Sequence, residues 1–363
     1  MPHETDPAQL PAVEVRTPAR VHLGMVAFNV PESRSFGGVG VMVDRPGVRL
    51  LMRRANRLEA RGPHAERIVR FARACMEAWG LGDVGCSLEV ASAPGGHVGL
   101  GSGTQLGLAV AAGMRHLFTP AAARESSAPP LHPTEDPLEP ADHDWLFDLP
   151  DAIALARATG RGRRSCVGVY GFSRGGLIVE AGRRVSPTEL EDDATRAFSP
   201  MIARVRLPAA WRCVLVVARD ALGLHGPAEK EAFAELPPVP AEITAELARI
   251  AMLELLPAAV EGKFGEFAEA VHRYGELAGK PFAAASSRLP HAAATTQLLE
   301  LLGELGIVGR AQSSWGPAVM ACCPTLDMAG DLVEALDRLG LAKHHDIVIA
   351  RFDQRGAVLR EVE

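Results

Sequence analysis

Pro94-Gly95-Gly96-His97-Val98-Gly99-Leu100-Gly101-Ser102-Gly103-Thr104-Gln105 carries five glycines within residues 95–103. Upstream, Cys86 to Ala91 alternates as a strand; downstream, Leu106 to Leu117 is rich in Ala and Leu and of helix length. A strand, a glycine loop and a helix together make an anion cradle. Glycines let the main chain approach a ligand without a Cβ. The first N–H groups of the helix lack internal partners and carry the positive end of its dipole. No Gly-Lys-Ser/Thr closes the loop as in a Walker A sequence. No acid follows about 20 residues on at a second strand end, as a dinucleotide fold requires. A tight strand-to-helix turn with no ligand is the competing reading of the loop by itself.

The surrounding chain has 363 residues, 47% hydrophobic and 23% charged, with 38 Lys and Arg against 44 Asp and Glu, a net charge of −6. That composition is globular and the length suits two domains. The acidic balance argues against a phosphate-tracking nucleic-acid surface, and 5% aromatics against a base-stacking platform. Cys75, Cys86, Cys166, Cys213, Cys322 and Cys323 show no C-x-x-C spacing, so neither a zinc site nor a disulfide framework is expected. The amino terminus lacks the basic start and apolar run of a signal peptide, and no apolar run approaches the roughly 18 residues of a membrane span. A cytoplasmic location is expected.

Working outward, Val13 to Met25 and Val39 to Arg53 read as extended, the second containing Asp44-Arg45-Pro46-Gly47 as a hairpin turn. Ile68, Phe71, Ala72, Cys75, Met76 and Trp79 recur at three and four residues, a core-facing helical stripe. Residues 119–150 hold seven prolines and many acids and read as an exposed insertion. Asp151 to Thr159 reads as a short helix. Cys166 to Phe172 and Leu177 to Ala181 read as strands joined by Ser173-Arg174-Gly175-Gly176. The domain boundary is expected near Ser199 to Pro208. Beyond it come a strand (Cys213 to Ala218), helices near 241–256, 263–276 and 292–305, a strand (Ala318 to Cys322), a helix (Gly330 to Leu339) and a strand (Asp346 to Phe352). Strands and helices alternate too irregularly for a doubly wound parallel sheet, which favours α+β.

Pro94 to Thr104 resembles the P-x-x-x-G-L-G-S-S loop of the GHMP superfamily of small-molecule kinases. Pro18-Ala19-Arg20-Val21-His22-Leu23-Gly24 resembles its N-terminal motif, and Gln312 to Val319 its C-terminal one. Where those kinases usually carry a second serine, whose hydroxyl helps hold the nucleotide's magnesium, this chain has Gly103. The variant loop resembles instead one branch of the superfamily, the β-ribofuranosylaminobenzene 5′-phosphate synthases. Phe36-Gly37-Gly38-Val39-Gly40-Val41, Gly160-Arg161-Gly162-Arg163-Arg164-Ser165, Phe172-Ser173-Arg174-Gly175-Gly176 and Ser313-Ser314-Trp315-Gly316-Pro317 agree with that branch. Residues 119–150 and 221–240 lie outside the resemblance.

The resemblance implies a two-domain α+β GHMP-kinase-like fold. Residues 1–205 would form an N-terminal ribosomal-protein-S5-like α/β domain bearing the loop, and residues 206–363 a C-terminal ferredoxin-like α+β domain. It implies a decarboxylating pentosyltransferase that condenses phosphoribosyl pyrophosphate with 4-aminobenzoate and releases pyrophosphate and CO2, in methanopterin-type cofactor biosynthesis. It further implies Mg²⁺ accompanying the pyrophosphate and a homodimer, with neither nucleic acid nor membrane as partner. An ATP-dependent kinase of the same superfamily is the runner-up, and a non-catalytic metabolite-binding regulator the third reading.

That chemistry assigns candidates. Gly99, Gly101, Ser102, Gly103, Thr104 and Gln105 offer amides, hydroxyls and an amide side chain to phosphate, and Thr104 alternatively caps the helix. Arg161, Arg163 and Arg164 set guanidinium forks beside flexible backbone, suited to phosphate or to a solvated helix end. Arg174, in a second glycine-flanked turn, converges on them if a short strand lies between. Arg20 and His22 share one face of the first strand, which lines a cleft or faces solvent; His22 would act near the reacting centre. Arg34, before Phe36-Gly37-Gly38, would clamp a carboxylate or phosphate. Ser314, Trp315 and Gly316 form a turn approaching the cleft, where Trp315 lies on the aromatic substrate or plugs the domain interface. Metal ligands are not assigned by the sequence.

Overall fold

The computed structural model describes residues 12–29, 34–119, 145–184, 198–221, 223, 231, 235–283, 289 and 291–362. Residues 120–144 of the expected insertion lie outside them.

The first extended segment forms β1 (Ala12–Met25), followed by the two-residue β2 (Arg34–Ser35) and the long β3 (Gly38–Arg54). β1 and β3 pair antiparallel from Ala12↔Arg53 to Met25↔Gly38. Asp44-Arg45-Pro46-Gly47 is therefore no hairpin turn. These four residues bulge out opposite Pro18, as the register steps from Thr17↔Val48 to Ala19↔Val43. Pro18 has no N–H to donate, so the ladder gives way there while the strands continue. Before the bulge, Val13 and Val15 face a core made with helices; after it, Ala19, Val21 and Leu23 enter a core shared with a second sheet. Arg20 and His22 are left on the opposite face.

β4 (Glu59–Arg61), β5 (Cys86–Ser92), β6 (Trp145–Leu146) and β7 (Leu177–Glu180) enlarge this sheet. β8 (Arg183–Arg184) pairs with β2 in a ribbon, and β9 (Met201–Val205) pairs with β7. Helices α1 (Ala65–Trp79), α2 (Ser102–Phe118), α3 (Leu149–Ala158) and α4 (Val167–Arg174) accompany it. α1 buries the expected stripe of Ile68, Phe71, Ala72, Cys75 and Met76 and ends on Gly80 in the left-handed conformation. α4 corrects the strand expected at Cys166 to Phe172. Every residue from Val167 to Ser173 is buried, so no polar face marks its period. Gly168 and Gly171 set the helix close to its neighbours: a Cβ at 168 would touch Thr104 and Gln105, and one at 171 would overlap Met42.

The second sheet is antiparallel, in the order β11 (Arg310–Gln312), β12 (Val319–Cys323), β10 (Arg212–Ala218), β13 (His345–Arg351). One face packs on α5 (Ala241–Ile250), a π turn at 251–255, α6 (Leu256–Glu261) and α7 (Phe264–Gly279). The other packs on α8 (Ala292–Glu304) and α9 (Leu326–Arg338). β14 (Val358–Val362), which no sequence expectation covered, returns to the first sheet and pairs with β1, Ala12 opposite Val362. All six cysteines are buried free thiols. Among the described residues no helix is long and apolar enough to cross a membrane.

Candidate active site

The glycine loop joins β5 to α2 with Gly99 and Gly101 at φ 93° and 70°, a region glycine enters without strain. The Thr104 and Gln105 amides donate to the Gly101 carbonyl (3.0 and 3.2 Å), so the Ser102 and Gly103 amides stand at the open end of the helix. No side chain caps that end and no acid lies in its first turn, so the dipole there is uncompensated by the helix itself. The Ser102 hydroxyl turns back to the Gly95 carbonyl (3.3 Å). Gln105 is directed away from the loop: its Nε2 donates to the Gly168 carbonyl (2.8 Å) and braces α4.

The C-terminal turn is stitched onto the loop and onto β1. Ser313 Oγ donates to the Gly99 carbonyl (2.7 Å) and accepts from the His22 amide (2.9 Å). Ser314, at φ 55°, donates its amide to the His22 carbonyl (2.9 Å), and the Ala318 amide donates to the Val98 carbonyl (3.1 Å). A Cβ on Gly316 would overlap the Gly99 nitrogen and the Val98 carbonyl. Three sequence motifs spread over 291 residues, from His22 to Ser313, thus share one hydrogen-bonded knot. Trp315 is 7% exposed and meets Phe282 edge to face (centroids 5.2 Å, 76°), in a cluster with Phe28.

Beside the open helix end lies a cleft of about 130 Å³ walled by Arg20, Arg67, the loop glycines and Ser314 to Gly316. Arg20 reaches the Gly99 carbonyl (Nη2, 3.5 Å) and packs on Gly101. Arg67, from the first turn of α1, was missed by sequence reasoning. Its guanidinium fills the space where a Cβ on Gly103 would go. Arg161 stacks over the Phe71 ring at 4.7 Å and Arg67 lies 5.9 Å from the same centroid. Burial, then the charges of Arg67 and Arg163, push the Arg161 pKa down to about 10; burial and Arg70 lower that of Arg67. Among the described residues neither guanidinium has a carboxylate partner, and Arg161 Nε is buried without a hydrogen bond. A net-negative protein therefore gathers positive charge at one place, which an anion would relieve.

Arg163 is exposed beside Gly160, and Arg164 is half-buried next to it. Arg174 does not converge on them. It ends α4 roughly 10 Å along the axis from Val167, where Arg204 donates to the Arg174 and Gln354 carbonyls, and it is not among the residues walling the cleft. Arg34 sits in the β2–β8 ribbon and donates to the Gly182 carbonyl (2.9 Å), away from the residues walling the cleft.

His22, two residues along β1 from Arg20, is 2% exposed. Its Nδ1 accepts the Gly24 amide (3.2 Å), so Nε2 carries the proton and donates to Ser165 Oγ (3.0 Å). Burial and the Arg20 charge hold its pKa well below 6.5, so it is neutral near pH 7. Ser165 in turn donates to Glu180, a carboxylate 1% exposed that also accepts the Cys166 amide (2.8 and 3.1 Å). Burial pushes the Glu180 pKa up to about 7 despite these donors. Between the ordinary 4.5 and about 7 the folded chain holds more protons at this group than the unfolded chain, so its stabilising share is lost as pH rises through 7. His22 works oppositely, costing stability as pH falls below 6.5. Glu180→Gln removes only the first effect and should gain on the wild type between about pH 5 and pH 8, read by urea unfolding at both values. Parallel losses at the two pH values would contradict this assignment.

Two larger cavities flank the cleft. One of about 560 Å³ lies between the Pro94 limb of the loop and β13 and shares no lining residue with the cleft. The other, about 450 Å³, adjoins the cleft through Ser314 and Trp315, which line both. No Asp or Glu among the described residues walls the cleft, and no cluster of three His, Cys, Asp or Glu suits a metal. The described part of the wall does not fit a resident Mg²⁺, which binds through carboxylates and substrate phosphates.

A glycine loop at a helix end, bound to a C-terminal glycine turn across two packed sheets, defines the GHMP-kinase fold. Homoserine kinase from Cytophaga hutchinsonii superposes with a TM-score of 0.61 at 15% identity, over 97% of either chain. No family model matches the chain. Curated relatives narrow the class. The beta-ribofuranosylphenol 5'-phosphate synthase of Archaeoglobus fulgidus is 31% identical over 271 residues, 74% of this chain and 77% of the relative. That of Methanothermobacter thermautotrophicus is 28% identical over 84% of this chain and 87% of its own. The chain belongs to the beta-ribofuranosylphenol 5'-phosphate synthase family and is an enzyme of the pentosyltransferase type.

Proposed function

We propose that the enzyme condenses phosphoribosyl pyrophosphate with a benzoate bearing a para electron donor, 4-aminobenzoate first, and releases pyrophosphate and CO2. The observation that carries this reading is the Arg67 and Arg161 pair, without a carboxylate partner among the described residues: Arg67 walls the cleft at the bare amide end of α2, and Arg161 stacks on Phe71 behind it. The pyrophosphate leaves with the electrons of its bond to C1, and Arg20, Arg67, Arg161 and Arg163 offset that growing charge. Mg²⁺ enters with the pyrophosphate as part of the substrate, since no described residue of the wall offers a carboxylate to keep it.

The ring carbon bearing the carboxylate supplies the electron pair for the bond to C1, and as CO2 leaves, the pair of the broken bond between that carbon and the carboxylate returns to the ring. The balance needs no net proton transfer. A buried, neutral His22 is consistent with that: it positions Ser165, Ser313 and Ser314 rather than acting as an acid. The relatives' name, a phenol, favours 4-hydroxybenzoate as a second acceptor to be tried.

Incubation with phosphoribosyl pyrophosphate and either acid, and separately with ATP, tests the proposal. CO2 release only in the first mixture is expected; ADP formation would indicate the kinase. Arg174→Ala should leave the KM for phosphoribosyl pyrophosphate within about twofold, because its side chain lies at the far end of α4. A large rise would return Arg174 to the site. We further propose a cytoplasmic homodimer in methanopterin-type cofactor biosynthesis; the exposed Leu253 and Val260 support the dimer, and light scattering would test it.

A further inference from the structure

The loop cleft, about 130 Å³, is too small for an activated sugar and an aromatic acid together, since small-molecule sites run to about 300 Å³ and more. The neighbouring 450 Å³ cavity has Ser314 and Trp315 as walls in common with the cleft. We propose that this cavity is the acceptor subsite. The carboxylate-bearing ring carbon lies at the Ser314–Trp315 end and the para substituent points toward His291 and Thr296. The assignment rests on the reading given under Proposed function.

Three observations carry it. The ring must reach C1 while the pyrophosphate stays on the loop amides, so the subsite must share a wall with the cleft, and this cavity does. Its deep end is buried and aromatic: Phe282 and Trp315 meet at 76° and form a corner in which a planar ring can lie on one face and against one edge. Its remaining walls are thin because Gly24 meets Ala278 so closely that a Cβ would overlap, leaving a slot beside β1 and α7. The 560 Å³ cavity fails on both counts. It has no wall in common with the cleft, and its lining is acidic on balance, with Glu334 and Asp337 beside an Asp346 already paired to Arg219, and carries no aromatic corner.

The rim of the subsite, at Gly279, Ala283, Ala293 and Thr296, is exposed and supplies the entrance. Ala293→Phe adds a ring there without disturbing the core. Phe282→Ala removes the corner and risks loosening the Phe28 contact (4.6 Å), so Ala293→Phe is the deciding variant. In the full chain, calorimetric Kd values and KM values for 4-aminobenzoate and 4-hydroxybenzoate should rise about tenfold or more, while the KM for phosphoribosyl pyrophosphate stays within about twofold. Thr296→Val should change the preference between the two acids. Unchanged aromatic KM in a folded Ala293→Phe, with wild-type turnover intact, would overturn the subsite and leave the sugar reading standing. A wild type that turns over neither acid would overturn both.

Discussion

Gly316→Ala is expected to lower kcat/KM for the proposed substrates by about 10²-fold or more while the chain still folds. Gly316 sits where the C-terminal turn meets the loop, and an added Cβ would overlap main-chain atoms of Val98 and Gly99. Backbone cannot rotate away as a long side chain can, so the two segments must separate. Separation stretches the Ser313 bond to the Gly99 carbonyl and the Ala318 bond to Val98, and it tilts the amides that receive the phosphates. A shift of about 1 Å at a reacting centre commonly costs about 10²-fold in rate. The added Cβ meets main chain rather than core side chains, and although Val98 and Ala318 border one core, most of both cores is far along the chain from this turn. Near-native thermal unfolding with collapsed turnover is therefore the outcome sought; full activity would mean that the knot does not hold the site.

What could be read from the chain before its structure follows from how local each signal is. Gly99, Gly101 and Gly316 were legible because close approach and positive φ are demands on single residues. The α1 stripe was legible because one face is buried and the other solvated. α4 was not, since burial all round erases the difference between periods of 2 and 3.6. Arg174 was misplaced for a related reason: its neighbours, Arg204 and Gln354, come from distant parts of the chain. Asp44-Arg45-Pro46-Gly47 misled because the residues that make a tight turn also make a bulge in a strand that carries on. β14 is a five-residue strand whose place beside β1 comes entirely from tertiary pairing.

Arg67 shows the same limit from the functional side. It immediately precedes Ile68 of the buried stripe, and nothing nearby in sequence says that α1 will lie across the start of α2. The available clue was Gly103, a residue with no side chain where related kinases carry a hydroxyl. The two positions explain each other: the missing Cβ makes the room that the guanidinium fills. A fixed cation thus stands at the place where a hydroxyl would hold a nucleotide's metal.

Arg67→Ala should accordingly weaken phosphoribosyl pyrophosphate binding and lower kcat/KM by about 10²- to 10³-fold, the usual effect of deleting one preorganised donor to developing charge. Gly103→Ser should fall in the same direction, since its side chain displaces the guanidinium. The decisive measurement is the double variant. If both substitutions act through the same guanidinium, Gly103→Ser adds almost nothing once Arg67 is alanine, and the cycle shows strong coupling. Losses that simply multiply would mean that the two residues work independently and that the loop's departure from the kinases has another cause. The KM for the aromatic acid provides the control: it belongs to a different wall and should hardly move in any of the three variants.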